Sequence, residues 1–98
     1  MGDHGSPNLV MAQALKDATM AYFILKNRKP DHVFIHYNGS YHSDFHEGIL
    51  WYLQQAEPNL NYTTISSVSQ KSLENLEEEY LNQADFIIVI DEDMTTTY

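Results

Sequence analysis

The chain has 98 residues, enough for one domain at most, and its 43% hydrophobic and 12% aromatic content is that of a globular protein. Fourteen acidic side chains against five basic give a formal net charge of −9, which repels phosphate backbones and anionic lipid and argues against both as partners. The absence of cysteine removes disulfides, thiolate metal sites and cysteine nucleophiles, and no apolar run reaches the roughly 20 residues needed to span a bilayer.

Residues 1–6 are small and polar and are expected to form a loose tail; they lack the basic-then-apolar form of a signal peptide. Ser6 then reads as a helix N-cap with Pro7 at the first helical position. Met11, Leu15, Ala18, Tyr22 and Leu25 recur at helical spacing as an apolar stripe. Gln13, Asp17, Met20 and Ile24 fall on a second face, so coverage on two sides is expected. Lys26, Arg28 and Lys29 suit the carboxyl end of the helix dipole, and Pro30 stops the helix.

Residues 32–37 (HVFIHY) read as a first strand, broken by Asn38-Gly39. Asp44 with Glu47 matches a capping box and predicts a helix from Phe45 to Ala56, ended by Pro58-Asn59. Residues 61–66 are the expected second strand. Ser72 is placed to cap a third helix through Leu73, Leu76, Tyr80 and Leu81, with Glu74, Glu77, Glu78 and Glu79 on its solvated side. Residues 86–90 (FIIVI) form a continuous apolar run, the pattern of a strand covered on both faces, and the last residues are expected to fray. The order α-β-α-β-α-β predicts a three-layer α/β fold around a short, mostly parallel sheet. Three such strands leave an edge and a face uncovered, so the chain is expected to be part of a larger domain or to oligomerise.

In open parallel sheets ligands bind beyond the carboxyl ends of the strands, which points to residues 38–42, 66–69 and 91–93. The first of these is the richest. Gly39 permits a sharp turn or a close approach, Tyr41 offers a phenolic oxygen, and His42 is able to ligate a metal or haem iron or to move a proton. His46 follows His42 by four residues, which puts both imidazoles on one face if a helix runs through them. The blander alternatives are half-buried structural histidines at positions 32 and 36, a solvated acidic loop at 91–93, and a bracing role for Gln13 and Asp17.

Two stretches carry a resemblance. Residues 12–21 (AQALKDATMA) and 33–42 (VFIHYNGSYH), the latter ending in G-x-x-H, resemble the helix and strand of the ChaN-like haem-binding family, with Gly48, Leu53 and Pro58 continuing the likeness. The resemblance implies an α/β fold, haem as cofactor, and a part in bacterial haem or iron uptake by exported or lipid-anchored proteins at the periplasm or cell envelope. It also implies kinship with the Tiki and erythromycin-esterase group. From the resemblance only Gly39 and His42 carry over from the motif, and Gln13 and Asp17 from the helix; with Tyr41, singled out by its phenolic oxygen, these are the candidate cofactor-binding residues, and His42, Tyr41 and His46 are the candidate metal ligands. Tyr37, Phe45 and Trp51 are candidate aromatic walls, with a core position the stronger expectation for Trp51. The family's N-terminal G-E-x-H motif is absent from this sequence, so the likeness is to the C-terminal part, and binding is expected rather than catalysis. The alternatives are a metal-dependent hydrolase remnant using a divalent ion held by His42 with Asp17 or Asp91, and a non-catalytic docking or oligomerisation fragment.

Overall fold

A computed structural model describes residues 6–95. The loose tail expected over residues 1–6 lies outside the described residues except for Ser6, as do residues 96–98, where fraying is expected.

Helix α1 runs over Pro7–Asn27, with Pro7 in its first turn and the Ser6 hydroxyl accepting from the Leu9 N–H at 3.1 Å. It stops just ahead of Pro30, as the sequence predicts. The side it buries is centred on the second face and takes in Leu25 from the end of the stripe. Asp17 and Ala21 are buried, and Met20, Ile24 and Leu25 pack against the core, whereas Met11 and Leu15 of the stripe are about 70% exposed. The reason is what lies opposite. Helix α2, Ile49–Ala56, presents Ile49, Leu50 and Leu53 to Ala21, and these four buried residues form the centre of the core. The small Ala21 lets the two helices approach closely, and burial of the aliphatic side chains drives them together.

Helix α2 starts four residues later than predicted. Phe45 and His46 have φ of 58° and 60°, which no α-helix accommodates, and residues 40–46 form two short 3₁₀ turns, Ser40–His42 and Asp44–His46. The capping box is therefore not formed; Gly48 occupies the position before α2. At the other end, the Tyr62 hydroxyl lies 3.1 Å from the Leu53 carbonyl and 2.8 Å from that of Glu57, which ties residue 62 to the last turn of α2.

Strands β1, Ile65–Gln70, and β2, Phe86–Asp91, pair in parallel from Ile65 opposite Phe86 to Gln70 opposite Asp91. The α/β character and the parallel pairing are as expected, but the element order is shorter by a strand and a helix. Residues 32–37 form no strand: Val33, Ile35 and Tyr37 are 89%, 68% and 88% exposed, and no ladder joins them to another strand among the described residues. Strand propensity becomes a strand only where a neighbour completes the hydrogen bonds.

Strand β1 starts four residues later than the predicted 61–66 and runs on to Gln70, because Tyr62 is engaged with α2 and Thr64 with Asp85. The expected third helix is reduced to one 3₁₀ turn, Glu78–Tyr80. The fully buried Gln70 explains this: its amide donates to the Ser72 and Asn75 carbonyls and accepts from the Glu77 N–H, holding the crossover open as a loop. Ser72 accepts from Glu74, two residues on, rather than capping a helix. On β2, Phe86 and Ile88 remain 63% and 53% exposed, so one face of the apolar run is uncovered.

Candidate functional site

Residues 39–48 cross from the segment before them to α2 and are fastened to α1. Gln13 and Asp17 lie four residues apart, so they share one side of that helix. Asp17 is buried, and its Oδ1 accepts from His42 Nδ1–H at 2.6 Å; the two side chains are 12% and 20% exposed. A short hydrogen bond between an acceptor-only carboxylate and an imidazole fixes the tautomer and leaves Nε2 as the nitrogen able to meet a ligand or a proton.

Tyr41, one residue earlier, takes the other side of the turn. Its ring meets that of His42 edge-on, centroids 6.4 Å apart. It lines a cleft of about 740 Å³ between α1 and α2, together with Leu9, Val10, Phe45, Trp51 and Tyr52. Gln13, Asp17, Asp44 and Glu47 supply the polar part of the wall. His42 instead borders a smaller depression of about 450 Å³ beside Leu15 and Met20. The turn thus presents its phenol and its imidazole to different hollows. Trp51 is a wall residue, not core: it is 53% exposed and packs edge-on against Tyr52. Phe45 is a wall residue too, whereas Tyr37 stands apart in the segment before the turn.

The wall contains two orphaned acceptors. Gln13 Oε1 and Asp44 Oδ1 are buried without a hydrogen-bond partner among the described residues. Burial holds the Asp44 carboxyl above the ordinary carboxylate range, against the opposing effect of hydrogen bonds from Gln83 and Ser66.

His46 does not join His42. No helix carries both, and His46 Nε2–H donates to Asp85 Oδ1 at 3.0 Å. Among the described residues no three His, Asp or Glu side chains form a group able to hold a metal ion. Nor do the three expected loops converge. Residues 66–69 lie inside β1, and residues 91–93 turn at the carboxyl end of β2. The site segment docks at the amino ends of the strands, through Thr64 and Asp85.

Gly39 has φ −63° and ψ 140°, a conformation open to any residue, and an added Cβ would meet only His42 Cδ2 at 3.9 Å. The glycine that the geometry requires is Gly48. It has φ +58°, and a Cβ there would overlap the His42 carbonyl. Asp85, Thr64 and Gln83 escape a reading of the sequence as site residues; Gly48 enters it only as part of the family likeness, with nothing local to mark its positive φ.

Phe45 and His46 carry strain of about 1–2 kcal/mol each in the left-handed region. Asp85, by contrast, is well satisfied: the Thr64 backbone N–H, and behind it the His46 ring, hold its carboxyl below the ordinary range.

An α/β protein with a carboxylate-held histidine beside an aromatic-lined cleft is what the fold and site define. The chain belongs to the family described as haem-binding uptake, Tiki superfamily, ChaN, whose family model matches residues 1–53, taking in α1, the site segment and the first turn of α2. No curated protein and no solved structure matches the chain.

Proposed function

We propose that this chain binds haem in the cleft between α1 and α2, with Tyr41 as the iron ligand; His42, which borders the neighbouring hollow, is the alternative ligand for a haem seated there. One observation carries the reading: the Asp17–His42 hydrogen bond at 2.6 Å pins the turn to α1 with Tyr41 on the cleft wall. The donor set fits the group. Phenolate and imidazole are both established haem-iron ligands, and a carboxylate behind the imidazole is the usual partner of a metal-binding histidine. The cleft is within the size range of small-molecule sites, and Phe45, Trp51 and Tyr52 offer apolar surface to a porphyrin face. Asp44 and Glu47 would repel anionic propionates, so the acidic edge of a bound porphyrin would lie away from them. Bound there, haem would supply its iron chemistry; Asp17 holds the His42 ring and the aromatic side chains exclude water.

The family description supports a place in haem or iron uptake, and we propose the bacterial periplasm or cell envelope as the setting. The test is a haem titration of the whole chain followed by visible absorption. A saturable Soret shift is expected; a spectrum that remains that of free haem overturns the proposal.

A second reading concerns assembly. Val33, Ile35 and Tyr37 are exposed and unpaired, as are Met11 and Leu15 on α1. This favours docking on another copy or on the remainder of a larger domain. Light scattering should then report a species heavier than the monomer; a monomer at high concentration would contradict self-association.

A further inference from the structure

The segment that presents the candidate ligands is bent against its own preferences. Phe45 and His46 are consecutive non-glycine residues at positive φ, a conformation that persists only where the surroundings enforce it. What enforces it comes from far along the chain. The Phe45 N–H donates to the Gln83 carbonyl at 2.7 Å, and His46 Nε2–H donates to Asp85 Oδ1 at 3.0 Å.

Asp85 is fixed in turn. Its Oδ2 accepts from the Thr64 N–H at 2.8 Å, and its own N–H donates to Thr64 Oγ1 at 3.0 Å. Thr64 and Asp85 immediately precede β1 and β2, so this clamp is rooted in the sheet. Gln83 is rooted there too, its side chain donating to Ser66 Oγ in β1 at 2.8 Å.

We infer that Asp85 is a positioning residue for the ligand turn: with the Gln83 carbonyl it fastens residues 45–46 to the sheet and so sets where Tyr41 and His42 stand. The turn is then held at two points, Asp17 on one side and Asp85 on the other. With Asp17 alone, the segment would be free to swing about the His42 ring. The clamping residues lie beyond the part of the chain that the family model matches, so the β1–β2 unit acquires a role in the site. The consequence for affinity rests on the haem reading above; the clamp itself does not.

The test uses the whole chain and the variants Asp85→Ala and His46→Ala, which remove the same contact from either side, with Val68→Ala as a control that weakens the sheet without touching the clamp. Amide hydrogen exchange on the haem-free protein is read first. Exchange at Phe45 should quicken in both clamp variants and remain slow in Val68→Ala, while the amides in the middle of α1 keep wild-type protection in all three. Haem titration is read second, with an expected loss of about tenfold in affinity and a shifted Soret maximum in the clamp variants only, at the low end of what outer partners of a ligand contribute. Unchanged Phe45 exchange in either clamp variant, or equal acceleration in Val68→Ala, would overturn the inference. Should wild type fail to bind haem, the functional proposal falls and the exchange data still decide the clamp.

Discussion

Asp17 and His42, twenty-five positions apart in the chain, meet through a single 2.6 Å hydrogen bond. The bond joins the middle of α1 to the turn that carries Tyr41, and it is the contact on which the binding reading turns. Replacing Asp17 by Asn retains the shape but removes the charge that orients the ring. Haem affinity should fall by about 10–100-fold with the fold intact, measured by titration alongside circular dichroism. Wild-type affinity in Asp17→Asn would show that the pair is only structural.

The two glycines of the segment should respond oppositely to alanine. Gly48→Ala places a methyl group against the His42 carbonyl at positive φ, and thermal melting should show a loss of more than about 1 kcal/mol. Gly39→Ala, in ordinary extended backbone, should leave the midpoint nearly unchanged.

Asp44 governs part of the pH dependence. Its folded carboxyl titrates above its unfolded counterpart, so its contribution to stability is fully present below the unfolded value and is lost as pH rises through the folded one. Asp44→Asn, neutral throughout, should therefore raise the melting temperature at neutral pH and leave it unchanged in acid. A gain of equal size at both would contradict burial as the cause.

Trp51 is the chain's one tryptophan and stands on the cleft wall. Haem entering that cleft should quench its fluorescence with the same saturation curve as the absorption change. Absorption changes without quenching would place haem elsewhere.

The core is small, and Leu53 is near its centre at 4% exposed. Leu53→Ala should cost about 2–3 kcal/mol in chemical denaturation, the lower part of the range for such changes, because a thin core relaxes readily.

What could be read from the sequence followed from how local each feature is. Ser6, Pro7 and Pro30 delimit α1 by chemistry confined to a few residues, and the structure keeps those bounds. The apolar run of β2 is equally local. Which face α1 buries was not legible from the strongest stripe, since Asp17 and Ala21 are selected by partners at positions 42 and 49–53. The strand expected at 32–37 has the right residues and no neighbour to pair with. The third helix yields to one buried amide, Gln70, whose hydrogen bonds no periodicity announces. At the site, His42 is legible from its loop and its chemistry, whereas Gln13 and Asp17 gain a functional reading only through a resemblance. The Asp85 clamp depends on a contact spanning thirty-nine residues and leaves no mark on local sequence.

The most direct test of haem binding is a paired titration of Tyr41→Ala and His42→Ala beside the wild-type chain, read by visible absorption. A saturable Soret band is expected in wild type, its loss or displacement in Tyr41→Ala, and weakened binding in His42→Ala, where the turn loses its hold on Asp17. Spectra and affinities identical to wild type in both variants would contradict binding through this turn.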